Sequence, residues 1–242
     1  MKQRILIVIL ALVGIMIGIC AAYIADYYHV TDKEKALSDT ELVKVTKTDF
    51  GCVFDGAGEE TALIFYPGAK VEDLAYAGLL KQIAAEGVDC YLVHMPFNFA
   101  IFGMNKADKI MSEYEYEHWY LAGHSLGGAM AAYYAEKNSG KLDGLIFLAA
   151  YSTKDLSNSD LKILSVYGSE DKVVNMEKIE QGRELMPDDY EEYRIDGGNH
   201  AGFGDYGNQS GDGEASVPTD EQKAMTAEKI IEMIRGEPKS SP

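Results

Sequence analysis

Residues 119–128 read Trp119-Tyr120-Leu121-Ala122-Gly123-His124-Ser125-Leu126-Gly127-Gly128, an aromatic and apolar run that breaks into the pentapeptide Gly123-His124-Ser125-Leu126-Gly127. This order predicts a strand, a very tight turn and a helix, the setting in which a G-x-S-x-G serine is held in a strained backbone with its hydroxyl clear of the sheet. Glycines flank the serine because a Cβ there would collide with the neighbouring strand and helix. The small, apolar segment 129–136 continues as the helix, and its N-terminal N–H groups face the point where negative charge develops in acyl transfer.

A nucleophilic serine needs a base, and the base needs an acid to orient it. Residues 161–167 read as a strand running into Gly168-Ser169-Glu170-Asp171, and 190–195 as another opening into Asp196-Gly197-Gly198-Asn199-His200. A carboxylate and a histidine therefore each follow a strand end, in the order serine, acid, histidine. With Tyr66-Pro67-Gly68-Ala69, Met95-Pro96-Phe97-Asn98, the GHSLGG turn, YGSED and GGNHAGFG, the chain resembles the α/β-hydrolase superfamily from about Glu41 to its last helix. Within it, the chain is similar to the small single-domain, dienelactone-hydrolase-like serine hydrolases. The resemblance implies a Ser125–Asp171–His200 triad, since the family pattern sets the acid three residues after the glycine. On the residues alone, Glu170 competes with Asp171.

The resemblance also implies an oxyanion hole of two backbone N–H groups, one from Leu126 and one from the loop Pro67-Gly68-Ala69-Lys70 after the third strand. Many relatives carry His-Gly where this chain has Pro67-Gly68. Position favours Ala69 as the second donor, with Lys70 next. Of the other histidines, His124 is assigned to packing or hydrogen bonding beside the turn, His94 to a structural role, and His118 and His29 to the surface. No histidine shows metal-ligand spacing with Cys, Asp or Glu, and neither a metal nor a cofactor is implied.

Strand-like and helix-like stretches alternate from Glu41 onward, which predicts one α/β domain, residues 41–236, with an eight-stranded, mostly parallel sheet and helices on both faces. The strands are expected at 42–47, 50–55, 61–66, 89–95, 119–124, 144–150, 162–167 and 190–195. A helix between the third and fourth carries Tyr76, Leu79, Leu80 and Ile83 on one stripe. A last helix starts at Thr219 with a capping-box pattern, Thr219 and Gln222, and an apolar stripe through Ala224, Ala227, Ile231 and Ile234. Residues 237–242 read as a disordered tail.

Only about a dozen residues join the sixth and seventh strands, so the fold has little or no cap domain, which favours small or flexible acyl substrates reached from solvent. Phe97, Phe99, Ile101, Phe102 and Met104 read mostly as the core face of a helix after the fourth strand, with Phe97 the candidate for a substrate pocket. The glycine- and acid-rich stretch 202–214 reads as a loop folding over one wall of the site. It follows no strand and opens no helix, so it is not a dinucleotide site.

Lys2 and Arg4 precede Ile5 to Ala25, 21 residues without a charge and long enough to span a bilayer. The basic flank predicts an inside N-terminus and a catalytic domain outside the cytoplasm. Residues 1–25 are read as an uncleaved anchor, with a signal peptide cleaved near Cys20-Ala21-Ala22 as the alternative, giving a secreted protein. Residues 26–40 read as a polar stalk. The sheet order that the resemblance implies makes the second and fourth strands antiparallel neighbours, leaving two alternatives for Cys52 and Cys90: a disulfide in an oxidising compartment, or two buried free thiols.

The formal net charge of −17 argues against nucleic-acid partners and polybasic lipid binding. The sequence points to a serine hydrolase cleaving a carboxylic ester, thioester or lactone of a small-molecule acyl substrate, with amide hydrolysis and acyl transfer also open. The alternative is a non-catalytic binding or scaffold protein that kept the fold.

Overall fold

The computed structural model describes residues 2–236; the tail 237–242 lies outside the described residues. Eight strands form: β1 (Lys44–Lys47), β2 (Gly51–Asp55), β3 (Thr61–Tyr66), β4 (Asp89–Val93), β5 (His118–His124), β6 (Gly144–Leu148), β7 (Lys162–Gly168) and β8 (Glu191–Ile195). Their limits fall within two residues of those expected. The sheet order is β1-β2-β4-β3-β5-β6-β7-β8, with β1, β2 and β4 paired antiparallel and every pair from β4 to β8 parallel.

The central strands are apolar on both faces because both are covered. Leu63, Phe65, Tyr120 and Ala122 point into the core under α3 (Ala77–Ala85) and α7 (Thr219–Arg235). Ala62, Ile64, Tyr66 and Leu121 point into the opposite core, under α4 (Lys106–Glu113) and α5 (Leu126–Asn138). The expected helix over 71–86 divides into a 3-10 turn (Asp73–Tyr76) and α3, and Tyr76, Leu79, Leu80 and Ile83 are all fully buried. Residues 149–161 form turns without a helix, and α6 (Met176–Gly182) follows β7.

Two expectations about local structure change, and one pair of alternatives resolves. Pro218, not Thr219, caps α7, and the helix buries Gln222, Lys223 and Thr226 while Ala224 is exposed. The polar residues turn inward because they have partners: Lys223 Nζ lies 2.5 Å from Asp205 and 2.9 Å from Asp220. After Met95 the chain makes two 3-10 turns, Pro96–Asn98 and Ala100–Phe102, with Phe97 and Asn98 at φ 58° and 57°. Without a helix there is no core-facing stripe, and Phe97, Ile101 and Phe102 stand exposed. Cys52 and Cys90 are free, buried thiols. Register explains why: Cys52 is opposite Leu92 and Cys90 is opposite Phe54, a two-residue offset that is too wide for a bridge.

The segment expected as a stalk lies along the domain. Tyr28 N–H donates to Lys70 O at 2.7 Å, Glu72 N–H donates to Tyr28 O at 2.8 Å, and Thr31 N–H donates to Asp205 O at 2.8 Å. Tyr28, Val30 and Leu37 pack against the α3/α7 core, and the short helix α2 (Lys33–Leu37) buries Ala36. Before it, α1 (Lys2–Ala25) is a single helix whose span Gln3–Ala25 is long and apolar enough to cross a membrane, a test that a signal sequence also passes. Strands β3, β5, β7 and β8 run parallel, so the loops after them gather at one end of the sheet, where open α/β folds place their sites.

Candidate active site

Ser125 sits between β5 and α5 with φ 51° and ψ −120°, a conformation costing a non-glycine residue about 1–3 kcal/mol. The surroundings hold it there: its N–H donates to Leu148 O at 2.9 Å, and its carbonyl accepts from Ala129 N–H at 3.2 Å. The turn demands close approach as well as strain. A Cβ on Gly127 would lie 2.1 Å from Tyr66 O, so only glycine lets α5 start against the end of β3. Ser125 is left half-buried at the mouth of α5, whose first N–H groups have no intrahelical partners.

Asp171 and His200 form a buried pair. Asp171 Oδ2 lies 2.8 Å from His200 Nδ1, and both side chains are essentially closed to solvent. Asp171 Oδ1 accepts from the N–H groups of Val173 and Val174, each at 2.8 Å, which fixes the carboxylate as an acceptor. Glu170 is turned away, accepting instead from Ser169 Oγ at 3.1 Å. The carboxylate that meets the histidine is therefore Asp171. An imidazole with Nδ1–H bound to a carboxylate presents Nε2 as a base. Among the described residues Ser125 Oγ makes no hydrogen bond, and such contacts commonly tighten only when substrate is bound.

His124 has a larger part than its place beside the serine suggests. It is 1% exposed, with Nδ1 2.8 Å from Tyr76 Oη and Nε2 3.1 Å from His200 O. A carbonyl only accepts, so Nε2 carries the proton and Tyr76 donates to Nδ1. Tyr76 Oη in turn accepts from Gly68 N–H at 3.1 Å. Burial, reinforced by the nearby His200, pushes the His124 pKa well below its ordinary value and keeps the ring neutral. A directional chain thus joins the loop after β3 to the histidine loop after β8. Gly68 must lack a side chain here, because a Cβ would lie 2.7 Å from His124 Nδ1.

The same loop engages one of the two oxyanion candidates and leaves the other without a partner. Pro67 has no N–H, Gly68 donates to Tyr76, and Lys70, at φ 58°, donates to Asn98 O at 2.9 Å. Among the described residues the Ala69 N–H has no partner, so it is the free donor of the loop. Phe97, the pocket candidate, is 58% exposed and lies edge-on to Phe102 with ring centroids 5.8 Å apart.

Three residues that the sequence did not assign to the site shape it. Asp212, in the loop 202–214, accepts from Ala201 N–H (2.9 Å), Gly213 N–H (2.8 Å), His200 N–H (3.3 Å) and Lys172 N–H (3.4 Å). It joins the segment after β7 to the one after β8. Asn199 caps the histidine turn through Gly202 N–H and is gripped by Gln222, whose amide both accepts from Asn199 N–H (3.0 Å) and donates to Asn199 O (2.8 Å). The acid-rich loop was the available signal, but nothing in its spacing marks Asp212 over its neighbours.

The remaining histidines pair locally: His94 with Asp73 at 2.9 Å, His118 with Asp143 at 3.1 Å, and His29 with Glu72 at 3.4 Å. The Asp73 hydrogen bond raises the His94 pKa. Among the described residues no group of three or more His, Cys, Asp or Glu side chains gathers to hold a metal.

The arrangement can be compared with known proteins. The family model described as "Alpha/beta hydrolase family" matches residues 62–224, more than half of the chain. No curated protein matches the sequence. Among solved structures, one described as a predicted CIB-like hydrolase from Thermoplasma acidophilum is similar over 80% of this chain and 99% of its own, at 12% identity and a TM-score of 0.62. MGS-MChE2, an alpha/beta hydrolase enzyme from the metagenome of lagoon sediments at Mar Chica, Morocco, is similar over 66% of this chain and 90% of its own, at 18% identity and a TM-score of 0.55. TT1662 from Thermus thermophilus is similar over 81% and 99%, at 12% identity and a TM-score of 0.56. At these identities the structures speak to the fold, and the family model speaks to descent: this chain belongs to the alpha/beta hydrolase family.

Proposed function

We propose that the protein is a membrane-anchored serine hydrolase that cleaves an ester-like bond, whether carboxylic ester, thioester or lactone, through an acyl-enzyme. Ser125 Oγ attacks the acyl carbonyl while His200 Nε2 takes its proton; the tetrahedral oxyanion is received by the N–H groups of Leu126 and Ala69. The bond to the leaving oxygen or sulfur then breaks as His200 returns the proton to it. Water, deprotonated by the same imidazole, attacks the acyl-Ser125 carbonyl, releasing the acid and restoring the serine. Asp171 holds the imidazole tautomer throughout.

The observation that carries this reading is the buried Asp171–His200 contact of 2.8 Å, reached from the loops after β7 and β8, at the sheet end where β5 delivers a strained serine. A fold retained only for binding has no need of a doubly anchored carboxylate behind a buried histidine. The anchor reading rests on α1, and the basic flank of Lys2 and Arg4 before it supports an orientation with the domain outside the cytoplasm. A panel of soluble acyl esters and thioesters of increasing chain length, offered to the full chain in detergent, tests the activity. Turnover that disappears in Ser125→Ala is expected, and turnover unchanged in that variant would refute the proposal.

A further inference from the structure

We propose that the loop 97–102 docks on the bilayer surface from which α1 emerges, and that the site accordingly takes acyl esters of neutral or zwitterionic membrane amphiphiles. The chemistry rests on the hydrolase reading above and the geometry on α1 being retained as a span. Phe97, Ile101 and Phe102 are 58%, 49% and 62% exposed, an apolar group with nothing from this chain over it among the described residues. Its level relative to a membrane is set by its neighbour Phe99, which stacks on Tyr23 with ring centroids 6.3 Å apart. Tyr23 lies two residues before the end of α1, about 3 Å along the helix axis from the edge of the apolar span. Whatever touches Tyr23 therefore lies at the polar–apolar boundary, where aromatic rings partition. The junction is fixed: Lys70 Nζ sits 4.2 Å over the Tyr23 ring and 2.9 Å from Asp26.

The same loop borders the reacting centre. Asn98 O takes the Lys70 N–H, next to the free N–H of Ala69, and the turn Ala100–Phe102 packs on α5, the helix that begins after Ser125. Ester carbonyls of membrane lipids lie at that same boundary, so an uncapped site held there receives them without a tunnel. With a net charge of −17 the chain as a whole is not drawn to an anionic surface, and burial of aromatic and aliphatic area drives the docking.

The test uses the full chain reconstituted into phosphatidylcholine vesicles. Trp119, the single tryptophan, sits at the opposite end of β5 from Ser125, so wild type gives a reference fluorescence. Phe102→Trp in vesicles with brominated acyl chains is expected to show strong quenching beyond that reference; no added quenching would overturn the docking. In parallel, Ile101→Ser with Phe102→Ser is expected to lose at least about tenfold in hydrolysis of a long-chain ester embedded in the bilayer. Its turnover of a water-soluble acetyl ester should stay within about twofold of wild type. Equal rates for both proteins on the embedded ester would overturn the substrate assignment. If wild type hydrolyses neither ester, the hydrolase reading fails and the substrate assignment with it, while the quenching still decides the docking.

Discussion

His124 Nε2 donates to the backbone carbonyl of His200 across 3.1 Å, with the two rings 4.5 Å apart, so the residue before the candidate nucleophile holds the main chain of the candidate base. The bond spans 76 residues of sequence and makes the spacing of the two loops a property of one buried neutral imidazole. Replacing that imidazole by a ring of similar size without nitrogen leaves the Tyr76 O–H without an acceptor and takes the side-chain donor away from the His200 carbonyl, while Gly68 N–H still reaches Tyr76 Oη. His124→Phe should cost about 2–4 kcal/mol in stability and lower turnover at least tenfold. Thermal unfolding and ester kinetics check this, and a variant as stable and active as wild type would remove His124 from the account.

The same residue gives the fold a pH dependence. Its folded pKa lies below its unfolded value of about 6.5, so below that pH the unfolded chain binds the extra proton and stability falls with falling pH. The slope is about 1.4 kcal/mol per pH unit until the folded pKa is reached. The groups facing the ring are Tyr76, His200 and Phe203, and burial drives the Tyr76 pKa up, so it stays protonated through this range. His94, raised by Asp73, works in the opposite sense, stabilising at low pH and losing that contribution as pH rises, but it is largely exposed and adds little. Denaturant unfolding at pH 5.5 and 7 should show a marked difference for wild type that shrinks in His124→Phe; equal slopes would contradict the assignment.

Asp171→Asn should lower kcat by about 10³–10⁴ with little change in fold, because an amide no longer fixes the imidazole tautomer. Glu170→Gln, whose carboxylate faces Ser169, should stay within about twofold. The reverse pattern would move the acid by one residue.

Much of this was legible in the sequence, and the exceptions share a cause. Strands β3, β5 and β7 announce themselves because apolar runs between turn residues carry a local signal, and the glycine-bounded serine and histidine do the same. Asp212 and Gln222 act on backbone groups of other loops, and Tyr76 on a histidine 48 residues on, so no spacing reveals them. Gln222 reads as half of a capping box because its polar side chain suits a helix start; in the fold it is wholly buried against Asn199. Ile101 and Phe102 read as core because large apolar residues usually are, and Phe97 reads as a pocket residue. Two left-handed residues, Phe97 and Asn98, break the helix that would have turned them inward.

Asp212→Asn tests the loop that periodicity could not read. An amide nitrogen in place of one oxygen meets N–H groups that already point at it, and the loop after β8 loosens. The expected result is a loss of about 1–3 kcal/mol in stability and a severalfold lower kcat at nearly constant KM. A change confined to KM would place Asp212 in substrate binding instead.

Cys52 and Cys90 should behave as inert core thiols. Burial, chiefly, raises Cys52 to about 11 and drives Cys90 upward, which disfavours the reactive thiolate. Alkylation without reductant should leave both unmodified in the native chain and label both after denaturation. Failure to label in denaturant would reveal a bridge.

The central claim is that Ser125 is an activated nucleophile, and fluorophosphonate labelling of the full chain in detergent tests it most directly. Covalent labelling at Ser125 is expected in wild type, lost in Ser125→Ala and in His200→Ala while both variants remain folded by circular dichroism. A folded wild-type protein that stays unlabelled, or a His200→Ala variant that labels as fast as wild type, would contradict it.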